Sequence, residues 1–259
     1  MYCLVNEHSR RIGFNLTFLA RLFSSALYRG LSGSSLMRTL LIFLGPEVIK
    51  RLWWTQFFNG QVKRFEFIAA CMREVKFNHV IETGTFLGSS TIALASLSGC
   101  KTHSIELDSK NLSYARERIA SDYANLDIVL YEGDSQEVLP EILKNCDPQT
   151  DSVFLYLDAH WTDDLPLSSE IQALNNWGGR FLAVIDDFKI DQDEGYAFDK
   201  YGAVEVGKES IPLNEFTTLY TLAAHSSTET GARRGTGIVI HNSLKSEFSS
   251  VIDIMIREL

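Results

Sequence analysis

The side chains that could do chemistry in this chain sit at the ends of apolar runs. Glu82 follows His79-Val-Ile and opens the turn Thr83-Gly-Thr-Phe-Leu-Gly88, which leads into Ser89-Ser90-Thr91. Glu106 ends the next run, with Asp108 just beyond it, and the third runs into Glu132-Gly-Asp134-Ser135. The fourth ends at Asp158-Ala-His160-Trp161 and the fifth at Asp186-Asp187. A single acid at a strand end is ordinary. Acids after five consecutive strands would share one rim, and like charges there repel unless something compensates them. A cationic ligand and a divalent metal are two such compensations.

Each group has its own chemistry. Gly84 and Gly88 let the backbone bend and come close to a ligand. Ser89, Ser90 and Thr91 place N–H and hydroxyl donors at a helix start. Position 86 is Phe, so the Gly-x-Gly-x-x-Gly spacing of dinucleotide sites is missing. Glu106 lies beyond the glycine turn at a spacing that suits a carboxylate accepting from a ribose diol. Asp134 and Ser135 suit contact with an adenine edge, and equally a helix N-cap; both roles are compatible. Asp158, Asp186 and Asp187 offer hard oxygen ligands for Mg²⁺, although an Asp-Asp pair is also a common loop start. The imidazole of His160, titrating near ~6.5, could take a proton from a hydroxyl, or could only hydrogen-bond Asp187.

These groups need a scaffold that brings strand ends together. The pattern predicts strands over 79–83, 101–106, 127–131, 152–158 and 181–186, with helices over 61–74, 89–98, 109–121, 135–145 and 167–177. Near-continuous apolar strands alternating with helices predict a sheet covered on both faces. Two further strands are expected over 217–223 and 237–241. The fold class is therefore α/β: a doubly wound, mostly parallel, seven-stranded Rossmann-like sheet with an added helical N-terminal segment. Residues 188–210 read as a long loop, with Gly195 as a lid hinge. Tyr196, Phe198, Tyr201 and Trp161 are candidates for stacking on a sugar or ring, and Arg233 and Arg234 for gripping an anionic group.

Bulk composition narrows the classes. Hydrophobic residues make up 45% of the chain and its net charge is −9, which argues for a real core and against general nucleic-acid binding. Residues 1–60 hold seven Lys/Arg against two Asp/Glu, a balance of +5; the remainder holds seventeen against thirty-one, a balance of −14. Helices are expected over 12–59, broken by turns at Gly30–Ser35 and Gly45-Pro46, with a further turn at Asn59-Gly60 before the next helix. The apolar stretches 12–28 and 36–49 fall short of the ~20 residues a spanning helix needs. They fit helices packed on the chain's own domain or on a second copy in a homodimer, or peripheral contact with a membrane. Four scattered cysteines without metal spacing read as free thiols, and together with the lack of a signal-peptide pattern they predict a cytoplasmic protein.

Taken together, Glu82-Thr-Gly-Thr-x-x-Gly88, Glu106, Gly133-Asp-Ser135 and Asp158 resemble the motif order of class I S-adenosylmethionine-dependent methyltransferases, over roughly residues 65–241. Asp158 with Asp186-Asp187 is more narrowly similar to the metal-dependent O-methyltransferases of the macrocin and novobiocin type. The resemblance implies a methyltransferase domain over 61–259 behind a basic, apolar extension over 1–60. It implies S-adenosylmethionine held by Glu82, Gly84, Thr85, Gly88, Ser90, Glu106, Asp134 and Ser135. It implies Mg²⁺ on Asp158, Asp186 and Asp187, holding a hydroxyl of a sugar or small secondary metabolite. Two departures stand out. Macrocin-type enzymes read Asp-Gly-Asp after the fourth strand, where the second Asp is the base; here that position is His160. Catechol-type relatives carry a lysine where this chain has Trp161. His160 is thus the candidate base, with Asp158 beside it. Two alternatives remain: a metal-independent transferase of the same fold, of aminopropyl-transfer type, and a non-catalytic S-adenosylmethionine-binding or scaffold protein.

Overall fold

The computed structural model describes residues 56–159 and 165–259. The expected helices before residue 56, with their membrane or dimer contacts, and His160 and Trp161 lie outside the described residues.

Five strands and their helices alternate as the apolar runs predict: α1 (Val62–Glu74), β1 (His79–Thr83), α2 (Ser89–Ser98), β2 (Lys101–Glu106), α3 (Ser109–Asp122), β3 (Ile128–Glu132), α4 (Ser135–Leu143), β4 (Ser152–Leu157), α5 (Leu167–Trp177) and β5 (Arg180–Ile185). Every residue of β4 is buried, because the strand has helices on both faces. Its side chains alternate between two cores. Val153, Leu155 and Leu157 join Ile81, Ile171 and Leu174 on one face. Phe154 and Tyr156 join Val80, Phe67 and Ile68 on the other. Period-two alternation thus divides one apolar strand between two helical layers.

After β5 come a short hairpin, β6 (Lys200–Tyr201) and β7 (Val204–Glu205), then β8 (Thr217–Leu222), β9 (Gly237–His241), α6 (Ser249–Met255) and β10 (Ile256–Glu258). The main sheet has eight strands in the order β10-β8-β9-β5-β4-β1-β2-β3. β3, β2, β1, β4 and β5 are parallel. β9, β8 and β10 add antiparallel pairings. The expected seven strands are all present, and β10 extends the sheet by one. Chain direction across the sheet reverses between β1 and β4, and the carboxyl ends of those strands form the crevice where such folds bind ligands.

Residues 57–60 contain the expected Asn59-Gly60 turn, which starts two residues early, at Phe57. They form a 3₁₀ turn in which Phe58 and Asn59 adopt φ of 51° and 57°. Tertiary contacts hold this left-handed pair: Phe58 is fully buried, and Asn59 Nδ2 donates to Asp186 Oδ2 at 2.9 Å. Among the described residues no helix is long and apolar enough to cross a membrane. Cys71, Cys100 and Cys146 are free thiols.

Candidate active site

A cavity of about 520 Å³ opens at the β1/β4 switch point. A groove of about 610 Å³ between α4 and α5 is larger, but Lys144 is its one charged side chain and none of the strand-end carboxylates reaches it. The switch-point cavity has the size of a small-ligand site and several convergent polar groups.

The glycine turn forms one wall. Gly84 has φ of +89°, and a Cβ there would lie 2.3 Å from the Asp158 carbonyl oxygen, so the turn can pass the end of β4 only as glycine. Gly84, Thr85 and Ser90 line the cavity. Gly88 does not. It caps α2 with φ of 75°, and a Cβ would meet Ala115 at 3.3 Å, so its role is close packing of α2 against α3. Most helix-start hydroxyls are already engaged. Ser90 Oγ accepts from Phe58 N, Arg118 donates to Ser89 Oγ, and Thr91 Oγ1 donates to Glu82.

Glu82 lies behind this wall rather than on it. It is fully buried, and its Oε2 accepts from Thr91 and, at 2.6 Å, from Ser104 Oγ, which itself sits 2.6 Å from Thr85 Oγ1. Its Oε1 has no partner. Burial pushes the carboxyl up to about 8 against the pull of those two hydroxyls, and the Glu106 charge adds to the rise. Glu82 therefore reaches the cavity through the Ser104 and Thr85 hydroxyls.

The remaining acids of the cavity lie beside the glycine turn and at the neighbouring strand ends. Glu106 accepts from Phe86 N through Oε2 at 2.7 Å and from Asp108 N through Oε1 at 2.9 Å. These backbone contacts fix the carboxylate while leaving each oxygen a further acceptor position. Asp134 caps α4 by accepting from Gln136 N at 2.9 Å, as its position before a helix predicts. Glu106, Asp134 and Ser135 all line the cavity, as does Asp158.

Asp158 is the most exceptional of the four. Its Oδ1 is shut from solvent and has no hydrogen-bond partner. Burial raises its pKa well above the usual carboxylate range, and the neighbouring Asp186 and Asp187 charges raise it further.

Asp186 and Asp187 do not join it as a metal set. Asp186 is fully buried. Its Oδ2 forms an ion pair with Arg64 and accepts from Tyr156 Oη at 2.7 Å and from Asn59, while Oδ1 accepts from Asp187 N at 2.7 Å. Burial would raise its pKa, but the Arg64 charge and the Tyr156 hydrogen bond outweigh that and hold it below the usual range. Asp187 is ion-paired with Arg234, which also binds Asp199. Among the described residues no three His, Cys, Asp or Glu side chains are grouped so as to hold a metal ion. The expected Mg²⁺ set of Asp158, Asp186 and Asp187 does not fit this donor arrangement, because guanidinium groups occupy the carboxylates of two of its three members.

Other expectations change with the same contacts. Arg234 is committed to carboxylates and is not a grip for an anionic substrate; Arg233 is exposed, and its Nε donates to Glu229 O. Tyr196 is buried and donates to Ala224 O at 3.1 Å, so it is a packing residue. Tyr201 is half-buried, and its hydroxyl is raised by burial and by the Asp199, Asp187 and Asp158 charges, which places it on the acidic side. Phe198 stacks beneath Lys189 and Lys200. Gly195 is not a free hinge: a Cβ would lie 2.1 Å from Ser226 Oγ, and Asp193 ties the segment to Ser226.

Four contributors were not foreseen. Gln56 and Asn59 line the cavity from the turn before α1. Glu170 on α5 is fully buried, and burial carries its carboxyl to about 7 against the pull of the nearby Ser135 and Thr83 hydroxyls. Arg64 did leave a signal. It falls on the buried stripe of α1 with Phe67, Ile68 and Cys71, where a charge demands a partner.

No protein-family model matches the chain, and no curated protein matches its sequence. Solved structures of similar fold include the O-methyltransferase from Bacillus cereus in complex with SAH, at 18% identity and a TM-score of 0.45, over 70% of this chain and 81% of that one. The O-methyltransferase TomG from Streptomyces achromogenes, involved in tomaymycin synthesis and bound to SAM, is 15% identical with a TM-score of 0.44, over 68% and 78% of the two chains. A Staphylococcus aureus protein assigned as a caffeoyl-CoA O-methyltransferase is 16% identical with a TM-score of 0.49, over 88% of this chain and 99% of that one. At that level of superposition, what those proteins bind belongs to them, and the residues of this chain's own cavity carry its functional reading.

Proposed function

We propose that the chain is an S-adenosylmethionine-dependent methyltransferase acting on a hydroxyl of a small molecule such as a sugar or secondary metabolite. The observation that carries this reading is the cavity at the β1/β4 switch point, lined by a glycine turn that tolerates no Cβ and by the Glu106 carboxylate tied to that turn. The cavity fits the cofactor on chemical grounds. Glu106 keeps acceptor capacity suited to a diol, Asp134 and Ser135 sit at a helix start beside it, and acids without a cation favour a positively charged ligand.

When bound, S-adenosylmethionine supplies an activated methyl group on a cationic sulfonium. The chain's part is to position, to exclude water and to manage a proton. Gly84, Thr85 and Ser90 would shape the amino-acid end of the site, with Glu82 acting on it through Ser104 and Thr85. Asp158 would receive the acceptor's proton on its unpartnered Oδ1: burial raises its pKa above the usual carboxylate range, and its anion is accordingly a stronger base than an exposed carboxylate. Holding donor and acceptor in line accounts for much of the acceleration expected of such a site. His160 keeps its role as an alternative base, on sequence grounds alone. No step is assigned to Mg²⁺, because the donor set does not fit it.

The test is a mass-spectrometric screen of the full chain with S-adenosylmethionine over sugars, sugar nucleotides and phenolics, with Mg²⁺ and with chelator. A product heavier by one methyl group, formed equally in chelator, supports the reading. Binding without turnover of any acceptor would favour the non-catalytic alternative, and a product carrying an aminopropyl group would favour the other transferase.

A further inference from the structure

The carboxylates beyond β4 and β5 are compensated by the chain itself. Arg64 is fully buried and spends every donor group: Nε on Thr236 Oγ1 at 2.9 Å, Nη1 on Tyr156 Oη at 2.9 Å and on Asp186, and Nη2 on the carbonyls of Arg234 and Gly235 at 3.0 and 3.1 Å. Arg234 is equally fixed. Its backbone N donates to Gln61 Oε1 at 2.6 Å, and its carbonyl accepts from Gln61 Nε2 at 2.8 Å. On the far side Gly235 N donates to Ala197 O at 2.9 Å, and Gly235 admits no side chain because a Cβ would lie 1.9 Å from Phe188 O. The guanidinium is thereby delivered to Asp187 and Asp199 by a backbone held from both sides. Burial alone would lower its pKa, but those two carboxylates raise it, and an arginine stays charged throughout.

A Mg²⁺ ion would need carboxylate oxygens at about 2.0–2.1 Å in an octahedron. Here it would have to compete with one guanidinium for Asp186 and another for Asp187 while both charges stayed beside it. Four carboxylates, Asp158, Asp186, Asp187 and Asp199, already face two permanent cations, and among them Asp158 Oδ1 is the oxygen that is both shut from solvent and without a partner.

We propose that the Arg64–Asp186 and Arg234–Asp187–Asp199 ion pairs stand in the place of a divalent cation. Arg234 is then a positioning residue that holds the acceptor side together, while Asp158 stays free for the reaction. The role given to the acceptor side rests on the methyltransferase reading; the exclusion of a divalent ion rests on the ion pairs themselves.

The test is an electron-paramagnetic-resonance titration of free Mn²⁺ with the full chain, run beside a calorimetric titration with S-adenosylmethionine. Wild type is expected to leave the Mn²⁺ signal unchanged. Arg234→Met, which keeps the apolar stem and removes the charge, is expected to bind one Mn²⁺ at least about tenfold more tightly than wild type, since a repelling unit charge is gone. Arg234→Lys should return the signal to the wild-type level. One Mn²⁺ bound by wild type and lost in Asp158→Asn or Asp187→Asn would overturn the proposal. So would an Arg234→Met protein, folded by circular dichroism, that gains no affinity. Failure of S-adenosylmethionine to bind would instead remove the methyltransferase reading and leave the Mn²⁺ result to be read separately.

Discussion

Glu82→Gln tests the acid at the centre of the β1 turn through stability rather than activity. Glu82 is fully buried between α2 and β2, takes hydrogen bonds from Thr91 and Ser104 on one oxygen only, and has the Glu106 charge nearby. Its carboxyl rises from 4.5 to about 8 on folding, chiefly through burial. The folded chain therefore keeps a proton that the unfolded chain releases between those two values. Stability from this group is full below pH 4.5 and is lost as pH rises through 8, by up to about 5 kcal/mol at ~1.4 kcal/mol for each pH unit. Glu170 adds a loss of the same sign between 4.5 and about 7. Glutamine imitates the protonated acid and cannot ionise. Urea unfolding followed by circular dichroism at pH 5 and pH 8.5 should show the variant close to wild type at the lower pH. At the higher pH it should be more stable by about 3–5 kcal/mol. An equal difference at both pH values would refute the reasoning, because Glu82 would then be accommodated as an anion in the folded protein.

Gly84→Ala should unfold more readily by at least about 2 kcal/mol and weaken S-adenosylmethionine binding, because it adds a Cβ 2.3 Å from the Asp158 carbonyl at a φ that disfavours L residues; a thermal melt with and without cofactor checks both effects. Arg64→Met should cost about 3–5 kcal/mol near neutral pH, since it strands Asp186 in the core. Asp186 has a depressed pKa, so its stabilising share is present above 3.8 and fades as pH falls through the lower folded value. The Arg64→Met deficit should accordingly shrink in acid, which urea unfolding across pH would show.

The parallel half of the sheet was legible because each strand is an apolar run bounded by turn residues and long enough to carry a pattern. β6, β7 and β10 span two or three residues each and carry no period, and α6 is a single short helix. The turn at Asn59-Gly60 was expected, but its start at Phe57 was missed for a different reason. Phe57 and Phe58 continue a helix-like run, while the left-handed backbone depends on Asp186 holding Asn59 from a distant strand end. In the site, the placement of Glu106, Asp134 and Asp158 followed from the strand-end rule. Which carboxylates are free did not, since their partners Arg64 and Arg234 come from elements far away in sequence. A charge on the apolar stripe of α1 was the one local sign that a buried acid waited for it.

The β1/β4 cavity is proposed to bind S-adenosylmethionine against Glu106. Calorimetric titration of S-adenosylmethionine into the full chain and into Glu106→Ala tests it most directly. One site in wild type, weakened about tenfold to a hundredfold in the variant by the loss of hydrogen bonds to a charged acceptor, is the predicted result. No binding heat in wild type, or equal affinity in the two proteins, would rule out Glu106 as a cofactor-holding residue of this cavity.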